Sequence, residues 1–224
     1  VVVLGSGTGV GKTHLSRALA RALRGRVGRP GVVALKPIET GTPWSDAGSL
    51  QAENAFHVEP HPLFALEPPI SPHLAARRAG VEIRVDEVRS WVEAHEAQLA
   101  LSDNMLPHMF SLVETAGGAF SPLSLTTRNI ELATALEPAL FVVVAPDALG
   151  VLHSMSVLLT AMERVARAPD FVVLSAATRD ESTGTNAAEL RALGIADPTV
   201  VLGPGEDDAS ALADALLARA AVSG

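Results

Sequence analysis

Val1-Val2-Val3-Leu4-Gly5-Ser6-Gly7-Thr8-Gly9-Val10-Gly11-Lys12-Thr13 is the stretch that decides the fold. Its four apolar residues read as a buried strand and its glycines as a turn. Leu15, Ala18, Leu19, Ala22 and Leu23 then form the apolar face of a following helix. A glycine-rich turn between strand and helix lets backbone N–H groups close around an anion, and the helix adds its positive N-terminal dipole. In that setting Gly7, Gly9, Val10 and Gly11 would cradle phosphates, Lys12 would reach the terminal ones and the Thr13 hydroxyl would hold magnesium. A strict phosphate-binding loop has a glycine where this chain has Ser6. Gly5 stands one residue earlier, so the loop is a variant.

Outward from the loop, strand and helix signals alternate. The first helix is expected over 13–23, ending near Gly25 and Gly28, with Arg21, Arg24 and Arg26 on its polar side. Val32-Val33-Ala34-Leu35 reads as a second buried strand. It runs into Lys36-Pro37-Ile38-Glu39-Thr40-Gly41, which Pro37 and Gly41 predict to be a loop. Ser45, in Trp44-Ser45-Asp46, is expected to cap a helical stretch reaching Phe56. Pro60, Pro62, Pro68, Pro69 and Pro72 predict an irregular excursion over 57–72. Pro60 also keeps His57 and His61 from sharing a helix face, so both read as loop histidines rather than metal ligands.

Ser71-Pro72-His73 predicts a helix start with serine as cap, and Val88, Trp91, Val92 and His95 place a core-facing helix over 85–101. Further strands are expected at 109–113, 140–145, 171–174 and 199–202, with helices at 128–136, 147–168, 185–193 and 209–221. This alternation predicts an α/β fold of the P-loop NTPase type. It would be a single domain over 1–224, a mostly parallel sheet with helices on both faces.

Composition narrows the function. Of 224 residues 48% are hydrophobic and 19% charged, a globular balance, and the net charge of −8 supplies no basic block for a nucleic-acid partner. With no cysteine there is no disulfide framework, thiolate chemistry or cysteine zinc site. The longest apolar runs, such as Ala139 to Ala145, are too short for a membrane span, and the start does not read as a signal peptide. A soluble cytoplasmic enzyme is expected. Because the strand reading begins at Val1 itself, a few residues are expected to precede it.

Three strands end in phosphate-facing or charged groups: the loop after the first, Lys36 after the second and Glu114 after the third. In doubly wound sheets functional groups collect beyond the carboxyl ends of the strands. Magnesium on nucleotide phosphates takes hard oxygen ligands, usually one or two carboxylates beside a hydroxyl. Glu114, followed by Thr115-Ala116-Gly117-Gly118, suits that role. Asp46, ten residues beyond Lys36, is the weaker candidate from spacing alone and reads equally as a solvated loop carboxylate. Lys36 at a strand end opposite a phosphate loop is placed to stabilise developing negative charge.

Four blocks together resemble dethiobiotin synthetase, the ATP-dependent carboxylase late in biotin synthesis. They are the lengthened loop 5–13, Lys36-Pro37-Ile38-Glu39-Thr40-Gly41, Ser71-Pro72-His73, and Glu114-Thr115-Ala116-Gly117-Gly118 running on to Ser121-Pro122-Leu123-Ser124. The resemblance implies a homodimer acting on 7,8-diaminopelargonate, carbon dioxide (or bicarbonate) and Mg-ATP, through a carbamate and a carbamic-phosphoric anhydride. It makes Lys12, Lys36 and Thr8 catalytic and gives Mg2+ to Thr13, Asp46 and Glu114. Thr8, Lys36, Thr40 and Gly117 would meet the diamine, whose carboxylate tail would lie at Gly150-Val151-Leu152 of the neighbouring subunit.

The chain departs from the family at Gly9, where many members are acidic, at Thr115, normally glycine, and at Leu152, usually asparagine. Ser175-Ala176-Ala177 replaces an asparagine that reads adenine. Ser175 is therefore placed at the base side of the nucleotide, and base selectivity is expected to be relaxed or altered. Lys36→Ala is expected to abolish product without loss of fold. Competing readings are a switch ATPase, which would carry an extra lysine early in the loop, a cobyrinate-type amide ligase, which needs a cysteine for glutamine, and a non-catalytic nucleotide-binding relative.

Overall fold

In strand β1 (Val2–Gly5), Val2 and Leu4 pack into one apolar layer and Val3 into another. β2 (Val32–Leu35) alternates in the same way, with Val33 and Leu35 on one face and Val32 and Ala34 on the other. Strands apolar on both faces belong inside a parallel sheet covered twice by helices. The computed structural model describes residues 1–27, 31–43, 45–102, 109–138 and 140–223. Gly28, Trp44 and Ala139 lie outside them. The remaining strands of the sheet are β5 (Phe110–Glu114), β6 (Phe141–Pro146), β7 (Phe171–Ser175) and β8 (Pro198–Leu202). The order is β2-β5-β1-β6-β7-β8, and every pairing is parallel.

One face is covered by α1 (Lys12–Val27), α2 (Ser45–Gln51) and α8 (Ser210–Ser223). The other carries α3 (Pro72–Ala79), α4 (Val85–Ser102), α5 (Asn129–Ala135), α6 (Val151–Val165) and α7 (Asn186–Ala192). The expected face of α4 is buried as a unit, with Val88, Trp91, Val92 and His95 all inside.

The expected boundaries shift where side chains compete. α1 continues through Gly25 to Val27, because Arg24 reaches the Glu53 carboxylate at 2.7 Å and Arg26 reaches Asp214 at 2.5 Å. α2 begins at Ser45 itself and stops at Gln51, well short of Phe56. Ser71 stands at the N-cap of α3 without capping it, since its hydroxyl pairs with His73 Nδ1 at 2.9 Å. α6 begins only at Val151, because Asp147 is held in the preceding turn by Gly184 N–H at 2.8 Å and Asn186 Nδ2 at 2.7 Å.

Two segments expected to be irregular form a sheet of their own. β3 (Ile38–Thr40) and β4 (Phe64–Leu66) pair in parallel, Ile38 opposite Phe64 and Thr40 opposite Leu66. Each is too short for periodicity to register. The prolines and Gly41 that mark loops stand around both.

Candidate active site

β1 feeds the loop, in which Gly9 (φ +72°) and Gly11 (φ +93°) hold the left-handed conformation glycine tolerates. The early Gly5 has a steric reason. A Cβ there would stand 2.8 Å from the Gly7 oxygen and 3.0 Å from both Cδ and Nζ of Lys12. Lys12 folds back across the end of β1, and its ammonium donates to the Gly7 carbonyl at 3.1 Å. Burial pulls Lys12 down to about 8, against the attraction of Glu114.

Sheet register brings the other groups to this loop. β5 lies between β1 and β2, with Glu114 opposite Val3 and Leu35 opposite Val113, so Lys36 emerges beside Glu114. Glu114 Oε1 accepts the Thr13 hydroxyl at 2.8 Å and also the Lys36 ammonium, which donates to Asp46 Oδ2 at 3.1 Å as well. Lys36 and Glu114 are almost wholly buried, whereas the Asp46 side chain is 43% exposed. Burial alone would lower the Lys36 pKa. The adjacent Glu114 and Asp46 charges outweigh it and hold the pKa above the ordinary lysine value. Lys36 therefore stays cationic throughout the neutral range.

The second Glu114 oxygen, Oε2, is buried and has no hydrogen-bond partner among the described residues. A buried carboxylate oxygen left open, beside a hydroxyl and a half-exposed second carboxylate, suits a hard divalent cation. Thr13, Glu114 and Asp46 thus fit magnesium as a set. They border a cleft of about 300 Å³, lined also by Thr8, Gly9, Gly11, Lys12, Lys36, Thr40 and Gly117. A second cavity of about 260 Å³ shares Thr8, Thr40 and Gly117 and adds Ser71, Pro72 and Ser121, so three of the four sequence blocks converge beside the loop. Gly118 makes this possible, because a Cβ there would meet Gly7 Cα at 3.3 Å and the Ser6 oxygen at 3.4 Å.

Glu39 has a role that no motif in the sequence announces. It is buried on β3, and its carboxylate accepts the N–H groups of Asp46 at 3.0 Å and Ala47 at 2.8 Å, fixing the start of α2 and with it Asp46. Burial raises its pKa, against those same hydrogen bonds. His61 was also missed as a partner of the site: its Nε2 accepts the Lys36 N–H at 2.9 Å. His57, by contrast, is an exposed partner of Glu59, and among the described residues no group of three or more His, Cys, Asp or Glu is arranged for a metal ion.

The remaining expected positions lie outside this junction. The Val10 side chain is buried in the core, leaving only its backbone to the loop. Ser175 is buried at the end of β7 and packs against the loop, its Oγ only 2.4 Å from where a Gly11 Cβ would stand. Gly150, Val151 and Leu152 stand at the start of α6 and line neither cavity of their own chain. Thr115, expected from the resemblance to be a departure, is accommodated because its buried hydroxyl donates to the Val3 carbonyl at 3.1 Å.

Residues 1–203 match a family profile described as an AAA domain. The chain is also 36% identical, over 98% of its length and 94% of the relative's, to the ATP-dependent dethiobiotin synthetase BioD of Caulobacter sp. strain K31. The chain belongs to the dethiobiotin synthetase family. A second synthetase of that name, from Anaeromyxobacter dehalogenans strain 2CP-1, is 36% identical over 92% of this chain and 90% of the relative. Among solved structures, a chain of the MinC:MinD cell division protein complex of Aquifex aeolicus is superposable at TM-score 0.55, with 12% identity and coverage of 97% of this chain and 95% of that one. A ParA family ATPase from Chlorobium tepidum gives TM-score 0.51, with 13% identity and coverage of 100% and 92%. These two share the fold of this chain.

Proposed function

We propose that this chain is an ATP-dependent ligase of biotin biosynthesis that carboxylates 7,8-diaminopelargonate and closes the ureido ring of dethiobiotin. One amine takes up carbon dioxide, releasing a proton and leaving a carbamate. A carbamate oxygen attacks the γ-phosphorus and ADP departs. The second amine then attacks the carbamoyl carbon of the mixed anhydride, and phosphate leaves as the ring closes.

The observation that carries this reading is the junction of Thr13, Glu114, Lys36 and Asp46 at the mouth of the phosphate loop. Two ammonium groups, Lys12 and Lys36, border one cleft, which suits a reaction whose barrier is negative charge gathered between two anions. Lys12 serves the transferring phosphoryl group and Lys36 the carbamate. Thr8, Thr40 and Gly117, common to both cavities, position the diamine so that the reacting atoms need no further ordering. Mg2+ held by Thr13, Glu114 and Asp46 would neutralise nucleotide phosphate charge. The loop 7–13 holds the phosphates.

The chain works as one domain in a cytoplasmic homodimer, in which the Gly150-Val151-Leu152 turn of one subunit receives the carboxylate tail of the diamine bound by the other. None of the described helices is long and apolar enough to cross a membrane. Incubation with diaminopelargonate, bicarbonate, magnesium and each nucleotide in turn, followed by mass analysis, tests the reading. The ureido product is expected at comparable rates with ATP, CTP and GTP, because Ser175 has no amide and its hydroxyl is buried against Gly11, leaving no directed side-chain hydrogen bond there to select a base. Strong preference for ATP contradicts the relaxed selectivity, and no product with any nucleotide overturns the function.

A further inference from the structure

Lys36 stands where main-chain pairing runs out. Leu35 is the last residue of β2 in register with β5, and residue 37 is a proline without an N–H. Pairing resumes only where Phe64 N–H donates to the Pro37 carbonyl at 2.9 Å and Ile38 comes opposite Phe64. A side chain serves the buried Lys36 between them, its N–H donating to His61 Nε2 at 2.9 Å. That contact fixes the tautomer: Nε2 holds the lone pair and Nδ1 the proton.

The ring is backed by α4. Its centre lies 6.1 Å from that of Trp91, and Trp91 lies 4.7 Å from His95, whose Nδ1 donates to the Trp91 carbonyl at 2.8 Å. Burial, with lesser contributions from His95, His57 and Lys36, lowers the His61 pKa to about 4. The acceptor lone pair is therefore present at every working pH.

We propose that His61 is a positioning residue for Lys36, holding its peptide so that the ammonium spans Glu114, Asp46 and the reacting carbamate. The proposal rests on the role given to Lys36 above. A buried N–H stripped of its acceptor turns to find another, and turning this peptide swings the whole lysine side chain. A displacement of about 1 Å at a reacting group is enough for a large loss of rate. Nucleotide affinity, which rests on the loop, is not expected to follow.

The test compares His61→Leu, which removes the acceptor, with His61→Gln, whose amide oxygen reaches the same point. Product turnover, nucleotide affinity without diamine and thermal midpoint are measured for each. His61→Leu is expected to lower kcat about tenfold or more with nucleotide affinity within about twofold, and His61→Gln to regain most of the rate. Wild-type kcat in His61→Leu, a His61→Gln as slow as His61→Leu, or rate, affinity and midpoint falling together would overturn the proposal. Nitrogen NMR of the wild-type imidazole is expected to show neutral His61 with its proton on Nδ1, and a proton on Nε2 would also overturn it. Product formation by the wild-type protein tests the reaction itself. The imidazole spectrum and the ratio of variant to wild-type rates test this contact.

Discussion

Lys36 and Glu114 are each other's buried counter-ion, and this changes what a substitution there does. Removing one partner of such a pair leaves a buried charge without compensation, so Lys36→Ala is expected to lose about 3 kcal/mol of unfolding free energy as well as activity. The sequence-based expectation that alanine spares the fold is therefore revised. Lys36→Gln, which keeps a donor for Glu114, is expected to unfold closer to wild type while kcat falls about a hundredfold. Urea unfolding beside turnover separates the two effects, and a fully active Lys36→Gln would remove Lys36 from the chemistry. Thr115 is the complementary case, a residue whose side chain serves the fold and not the cleft. Thr115→Gly loses a buried hydrogen bond and loosens the unfolded chain, at an expected cost of about 1–2 kcal/mol in the same assay with turnover retained. Lys36 and Glu114 were legible in the sequence because charged residues ending apolar strands collect at one sheet edge. Glu39 and His61 were not, because their partners are the N–H groups of Asp46, Ala47 and Lys36, and residue type and spacing do not encode which backbone groups lack a strand partner.

At the level of elements, the site depends on how closely the segment after β5 approaches the loop after β1. Gly118 faces Gly7 Cα, Gly7 N and the Ser6 oxygen, all backbone atoms that cannot rotate away. Gly118→Ala is expected to push the two segments apart by a few tenths of an ångström and weaken nucleotide binding about tenfold, which equilibrium titration would detect. Unchanged affinity would mean that the loop binds phosphates independently of β5. All six strands of the main sheet and the helices flanking them were readable, since apolar strands buried on both faces and amphipathic helices leave strong periodic signals. β3 and β4 were unreadable because each pairs over only three residues among prolines. Yet that small sheet begins beside His61 and carries Glu39 and Thr40 into the cleft.

For the whole molecule, the strand order explains why residues distant in sequence form one site. The chain leaves β1 for β2 at the sheet edge and returns to place β5 between them, so the cleft opens where β1, β5 and β2 end together. A ParA family ATPase shares this fold, and within such a fold the destination of the γ-phosphoryl group separates a synthetase from an ATPase. That destination is measurable. With the diamine, nucleotide, magnesium and 18O-labelled carbon dioxide in ordinary water, the released phosphate is predicted to carry one labelled oxygen, and its release to require the diamine. Phosphate that takes its new oxygen from water, or that appears equally without the diamine, would contradict the account.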